Sequence, residues 1–372
     1  MKIVIDGRMY AESGVGRYIR NLITQLQIID KKNEYFILLL QKDYSFLKES
    51  ENFRKVVAEF RWYGVSEQIK LPKILNSLKA DLVHFPHFNV PFLYRGKFVV
   101  TIHDLIHQHF QMRRATTRNP ITYKIKQLGY NAIFKNAIHK SVKILVPSNY
   151  VKDLLTDKWK ISAEKILVTY EAVDDIILAI EKIMNKEKIK KVMEKFKISS
   201  PYIFYVGNAH PHKNIEGLIR AFLELRKKYP DLYLVLSGYD HYFWQRIREE
   251  FQHPGIIYTG HVSDEELAAL YKGAECFVMP SFEEGFGIPL LEAMALGCPV
   301  ISSSAGSLTE VGGEACLYFN SHDVQDMVEK ITQVLGDANL KEKLVKKGKE
   351  RIKVFSWEKL AKQTLEVYSS CV

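Results

Sequence analysis

At 372 residues the chain exceeds one ordinary core, so two domains are expected. Apolar residues make up 47% and charged residues 26%, and no apolar run nears the roughly 20 residues of a membrane-crossing helix. The formal charge of +10 is uneven: residues 105–152 hold no Asp or Glu but carry basic residues from Arg113 to Lys152, interleaved with Tyr123, Ile125, Leu128, Tyr130, Ile133 and Phe134. Such a stretch fits an anionic membrane surface, a phosphorylated substrate or nucleic acid, against the plainer reading of a solvated helix face. Cys276, Cys298, Cys316 and Cys371 show neither CxxC nor metal spacing and read as reduced cytosolic thiols. Met1-Lys2 runs straight into a strand, with no signal-peptide pattern.

Lys2 to Asp6 reads as the first strand, and residues 7–16 as a loop before a helix carried by Tyr18, Leu22 and Leu26. Gly14 and Gly16 form part of a GxGxxG pattern, but Ile19 stands where the third glycine belongs, so a dinucleotide site is a weak reading. Further strands are expected at 35–40, 82–85, 97–102, 143–146 and 166–169, alternating with helices as in a doubly wound parallel sheet. His103-Asp104 follows one of them. That pair suits an acid/base, an acceptor anchor or a helix cap, and spacing alone favours the structural role slightly. His84, His87, His107 and His109 form no HExxH or comparable metal pattern.

A Lys/Glu-rich helical segment, 177–197, reads as the crossing to a second domain that restarts the alternation at 202–206, 232–236, 256–258, 276–279 and 300–301. Asn214 is expected to cap a helix whose apolar face is Ile215, Leu218, Ile219, Phe222 and Leu225. Lys213, just before it, fits an anion-binding lysine or an ordinary loop lysine. The most informative stretch is SFEEGFGIPLLEAMALGCP, Ser281 to Pro299. A buried strand leads into Gly285 and Gly287, Pro289 is expected at the first helical position, and Gly297-Pro299 ends the helix. Strand, glycine turn and helix N-terminus together make an anion site flanked by Glu284 and Glu292. After Phe319 the chain reads as helical, with a last amphipathic segment from Trp357.

Taken in order, Gly14-x-Gly16-Arg17-Tyr18, His103-Asp104, Pro147-Ser148, Gly207 with Lys213-Asn214, Gly260-x-Val262 and Glu284-Gly-Phe-Gly-Ile-Pro-x-x-Glu292 resemble the retaining nucleotide-sugar glycosyltransferases of family four. The resemblance spans essentially the whole chain, and the Glu-x7-Glu element is its most specific part. It implies a GT-B fold with two Rossmann-like domains facing a cleft: an acceptor-side domain at 1–172, a linker at 173–200, a donor-side domain at 201–356, and a helix at 357–372 returning to the first. It implies that Glu292 holds the ribose, Glu284 the donor sugar, Lys213 the diphosphate and Val262 the base. Gly285, Phe286, Gly287 and Ile288 would supply backbone contacts, Gly14 and Gly16 would close on the diphosphate, and His103 would lie near sugar and acceptor. Asn208 departs from the pattern, standing where many members carry a diphosphate Arg; Arg17 or His212 could serve instead.

The implied reaction is metal-independent and needs no cofactor beyond a donor substrate, GDP-mannose first and a UDP-sugar second, as in bacterial mannosyltransferases of cell-surface polysaccharide assembly. The acceptor would be a saccharide or a lipid-linked one, with no nucleic acid partner. The enzyme would be cytoplasmic, peripheral at the inner membrane face through 105–152. A sugar-nucleotide epimerase and a non-catalytic nucleotide-sugar-binding regulator are the alternatives.

Overall fold

The computed structural model describes residues 1–12, 14–106, 120–199 and 201–371, with side chains from residue 127 onward in the helix that begins at 120. His107, His109, Arg113, Arg114 and Arg118, and the side chains of Tyr123, Lys124, Ile125 and Lys126, lie outside the described residues. The chain forms two compact units, one from residues 1–105, 120–171 and 356–371, the other from 172–355.

The first unit contains β1 (Lys2–Asp6), α1 (Gly14–Ile29), β2 (Glu34–Leu39), β3 (Phe53–Val57), α2 (Val65–Leu78), β4 (Leu82–Phe85), β5 (Phe98–Thr101), α3 (Pro120–Lys140), β6 (Lys143–Val146), α4 (Asn149–Trp159) and β7 (Ile166–Val168). Its seven strands are parallel, in the order β3-β2-β1-β4-β5-β6-β7. The central strands β4 and β5 are buried at every residue, as helices on both faces require, whereas the edge strand β3 buries Phe53 and exposes Arg54 and Val57.

The second unit contains α5 (Asp175–Ile183), α6 (Lys186–Lys195), β8 (Tyr202–Val206), α7 (Ile215–Lys228), β9 (Tyr233–Ser237), α8 (Tyr242–Glu250), β10 (Ile256–Gly260), α9 (Asp264–Gly273), β11 (Cys276–Met279), α10 (Ile288–Ala295), β12 (Val300–Ser303), α11 (Leu308–Gly312), β13 (Cys316–Phe319), α12 (Val324–Gly336) and α13 (Ala338–Arg351). Its parallel order is β10-β9-β8-β11-β12-β13. The stretch 173–200 is no bare tether: α5 and α6 pack on α9. A last helix, α14 (Trp357–Ser370), packs on α1 in the first unit. It buries Trp357, Leu360, Ala361, Thr364, Val367 and Tyr368, a regular helical stripe.

Each unit has its own apolar core, around Val83, Phe98 and Phe134 in one and Phe222, Leu234 and Val278 in the other. All four cysteines are free and buried, and burial pushes the Cys276 and Cys316 thiols up to about 12.

Candidate functional site

Doubly wound sheets bind ligands beyond strand carboxyl ends, where the strand order reverses. In the second unit the reversal falls between β8 and β11. The loops there are 207–214 and 280–287, and they hold Lys213 and Glu284. Lys213 Nζ donates to both carboxylate oxygens of Glu284, at 2.7 and 2.9 Å. The two side chains are only 16% and 8% exposed. Ser281 Oγ donates to Glu284 Oε1 at 2.6 Å, and the Ser281 carbonyl accepts from Ser303 Oγ at 2.6 Å. Glu284 is thus fixed by an ammonium and a hydroxyl. An ammonium has three N–H groups, so Lys213 keeps one for another acceptor.

The glycine turn is built to hold this carboxylate. Gly306 lies so close that a Cβ there would come within 2.7 Å of the Glu284 carbonyl oxygen, and Ser307 Oγ donates to the carbonyls of Glu284 and Phe286, both at 3.0 Å. Gly287 takes φ +102° as the N-cap of α10. That conformation is easy for glycine and costly for other residues. Gly287 has no side chain with which to cap α10; Pro289 carries no N–H and the Leu290 N–H donates to the Gly287 carbonyl at 3.0 Å, so the Ile288 N–H heads the helix. Pro289 is the second helical residue, one later than expected. Glu292, 2% exposed, accepts from the Tyr271 hydroxyl at 3.2 Å.

Asn214 occupies the N-cap position of α7 but does not cap with its side chain. Its amide instead donates to the carbonyls of Pro280 and Ser321, at 3.1 and 2.9 Å, tying the Lys213 loop to the strand end before Glu284. Asn208 is exposed, and its Oδ1 accepts from the His210 N–H at 3.2 Å, closing the turn. Val262 is buried, after Gly260 at the end of β10. Phe286 is buried edge-on to Phe355, with centroids 5.7 Å apart.

In the first unit His103 follows β5. Its Nδ1 lies 3.0 Å from Glu171 Oε1 and its Nε2 lies 2.9 Å from the Pro86 carbonyl. Both partners are acceptors, so both nitrogens donate only as an imidazolium. Burial alone would lower the His103 pKa, but the Glu171 hydrogen bond and charge, the Pro86 carbonyl and the Asp104 charge together raise it. The Tyr18 ring meets His103 edge-on at 4.9 Å, and its hydroxyl is 3.1 Å from Thr101 Oγ1. Thr101 Oγ1 is 2.8 Å from His84 Nε2, and His84 Nδ1 is 2.6 Å from the Tyr368 hydroxyl of α14. His84 is wholly buried, which pushes its pKa down to about 3 and makes it a neutral structural link. Among the described residues no three His, Cys, Asp or Glu side chains group to hold a metal ion.

Gly14 and Gly16 belong to α1 rather than to the preceding loop. Gly16 is buried against the Met9 and Tyr10 carbonyls, while Gly14 is exposed.

Known proteins match this arrangement along nearly the whole chain. The family model described as Glycosyltransferase Family 4 matches residues 13–175, and that for Glycosyl transferases group 1 matches 185–351. The chain belongs to glycosyltransferase family 4. Its two Rossmann-like units with parallel sheets are those of the GT-B fold. Among relatives of this glycosyltransferase, O-antigen chain mannosyltransferase B of Escherichia coli is 29% identical over 99% of each chain. O-antigen chain mannosyltransferase RfbU of Salmonella typhimurium is 27% identical over 82% of this chain and 78% of its own. The structure of Anabaena Alr3699/HepE in complex with UDP-glucose has a TM-score of 0.78 over 100% of each chain at 15% identity, a likeness of fold.

Sequence reasoning did not single out Ser281, Ser303, Ser307, Tyr271 or Glu171 as partners of the glycosyltransferase's site residues. Ser281 opens the stretch that drew notice for its glycine turn and its two flanking glutamates, SFEEGFGIPLLEAMALGCP. Tyr271 is 21 residues from Glu292 and carries no local signal.

Proposed function

We propose that this glycosyltransferase moves a mannosyl unit, with retention, from a nucleotide-diphosphate sugar to a saccharide or lipid-linked acceptor in cell-surface polysaccharide synthesis. The observation that carries the reading is the Lys213–Glu284 pair beside the start of α10: a cation with an N–H to spare, a held carboxylate and a helix N-terminus at one strand reversal. The names of the O-antigen relatives support mannose and therefore GDP-mannose as first donor, with a UDP-sugar second.

In this reading Lys213 and the α10 N–H groups receive the diphosphate, aided by Gly285, Gly287 and Ile288. Glu284 holds the donor sugar, Glu292 the ribose, and Val262 lies against the base. Gly14 and Gly16 contribute to the diphosphate and His103 to the acceptor side. Asn208 supplies turn geometry. Breaking the anomeric C–O bond leaves its electron pair on the diphosphate, where Lys213 and the helix start stabilise the charge without a metal. The acceptor oxygen bonds to the anomeric carbon on the face being vacated, and its proton passes to the departing phosphate oxygen. His103 is held in place with both of its nitrogens engaged and contributes positive charge on the acceptor side when protonated. The enzyme works at the inner face of the membrane.

A thermal-shift panel of GDP, UDP, ADP and their sugars tests the donor, because stabilisation follows concentration over affinity. GDP and GDP-mannose should raise the melting temperature most; a larger shift with UDP-glucose would reassign the donor. Full transfer in EDTA is expected, and its loss would end the metal-independent mechanism. An epimerase would convert the donor sugar with no acceptor present, and a regulator would bind it unchanged.

A further inference from the structure

A surface helix normally turns its polar stripe outward. Helix α2 departs from this. It buries Glu67, Leu71 and Leu75, one turn apart, and exposes Val65 (77%) and Ile69 (50%) on the opposite side. The loop after β4 extends the exposed apolar surface with Phe92 (49%) and Leu93 (59%), and it is joined to α2 because the Phe92 N–H donates to Gln68 Oε1 at 2.8 Å.

The charges around these four side chains have one sign. Arg61, Lys70, Lys73 and Arg95 are exposed, and none has an ion-pair partner among the described residues. Between Arg61 and Lys97 the acids are Glu67, wholly buried against Arg8, and Asp81, which accepts from the Lys2 N–H at the amino end of the sheet. Lys140 adds its ammonium 4.9 Å above the Phe92 ring. The lysines of α6 behave differently: Lys190 and Lys191 pair with Glu194 and Glu187 along the helix.

The geometry points to α2 and the 91–95 loop as a docking surface for an anionic lipid bilayer. Aliphatic side chains enter the headgroup boundary while unpaired bases meet anionic headgroups. A second copy of the chain fits poorly, because a two-fold contact would set the same unpaired bases against each other. Nucleic acid would use stacking and polar groups rather than exposed Val, Ile and Leu. Of the apolar residues in the 105–152 stretch, Phe134 is fully buried, 4.9 Å from the Trp159 ring, and Tyr130 packs on Phe88, while Leu128 is 69% exposed; α2 and the 91–95 loop gather four exposed apolar side chains. The proposal shares with the proposed function only the membrane location of the acceptor.

The test is co-sedimentation of the full chain with vesicles of phosphatidylcholine alone and of equal parts phosphatidylcholine and phosphatidylglycerol. Binding should favour the anionic vesicles. V65D/I69D and, separately, K70E/K73E should each weaken it by roughly tenfold or more, with melting temperatures near the parent's. Equal binding to both vesicles, or undiminished binding by V65D/I69D, would overturn the proposal. So would a dimer in light scattering that V65D/I69D disperses. The nucleotide thermal shift is read on the same samples: if no nucleotide shifts the parent, the proposed function fails while this surface stands.

Discussion

Lys213–Glu284 in the second unit and His103–Glu171 in the first are both short, largely buried cation–carboxylate pairs, at 2.7 and 3.0 Å, beyond the carboxyl end of a parallel sheet. Their capacities differ. Both N–H groups of the His103 imidazolium are used, one on Glu171 and one on the Pro86 carbonyl. Lys213 uses two bonds on one carboxylate and keeps a third N–H. An arriving anion can therefore bind Lys213 while Glu284 stays held by Ser281, whereas a ligand reaches a ring nitrogen of His103 only by displacing a partner. The second unit's pair keeps a donor to spare, and the first unit's does not.

The largest break in this comparison should come from Lys213→Ala. Loss of a charge-stabilising donor lowers kcat by roughly 100- to 1,000-fold, measured as glycosyl transfer. A loss no greater than Lys→Ala at an exposed site would remove Lys213 from the chemistry. Next, Glu284→Gln keeps the shape and the Ser281 contact but frees Lys213 from its counter-charge. Transfer should fall by about 10- to 100-fold while nucleotide diphosphate binds as tightly or more so, measured by calorimetry. Weaker nucleotide binding would mean that Glu284 positions Lys213 rather than holding sugar.

On the other side of the comparison, His103 has a raised pKa in the fold against an ordinary 6.5. A raised histidine pKa stabilises the fold below the unfolded value, and that contribution is lost as pH rises through the folded value. The melting temperature should therefore fall as pH climbs above 6.5. Glu171→Gln should flatten this slope, because it replaces the carboxylate hydrogen bond, which raises the pKa, with a weaker amide one and removes the carboxylate charge, which raises it too. An unchanged slope in Glu171→Gln would assign the pH dependence elsewhere.

Smaller effects sharpen the contrast in rigidity. Gly306→Ala places a methyl against the Glu284 carbonyl at a backbone φ of +62°, and should cost about 1–3 kcal/mol with a parallel loss of transfer. Tyr368→Phe removes the hydroxyl 2.6 Å from His84 and should cost about 1 kcal/mol, with little change in nucleotide binding, read by denaturant unfolding.

Much of this was legible in the residues. The buried stripe of α7 follows the spacing of Ile215, Leu218, Ile219 and Phe222, and the strand–glycine–helix element stands where SFEEGFGIP placed it, although α10 is buried all round from Leu290 to Ala295 rather than on one face. Two of the four edge strands were not, although β7 and β10 were: β3 reads FRKVV, in which Arg54 and Lys55 interrupt the apolar run, and β13 is only four residues, CLYF, soon after Gly312-Gly313. Gly14 and Gly16 read as loop because two glycines argue against helix locally. Tertiary packing overrides that propensity, with Gly16 fitting under two carbonyls. The partners of the site residues stayed hidden because Lys213–Glu284 spans 71 residues and His103–Glu171 spans 68, and no local periodicity encodes such contacts.

The return of α14 to the first unit bears on the order of events during synthesis. Residues 1–171 leave the ribosome without the helix that buries Trp357 and Tyr368 against them, and the whole second unit is made before that helix emerges. The second unit can thus complete its core first, as a contiguous segment, while the earlier-made unit waits with its α1 flank and the His84 ring uncovered. A nascent chain halted near residue 355 should accordingly show a protease-resistant second unit beside a protease-sensitive first one.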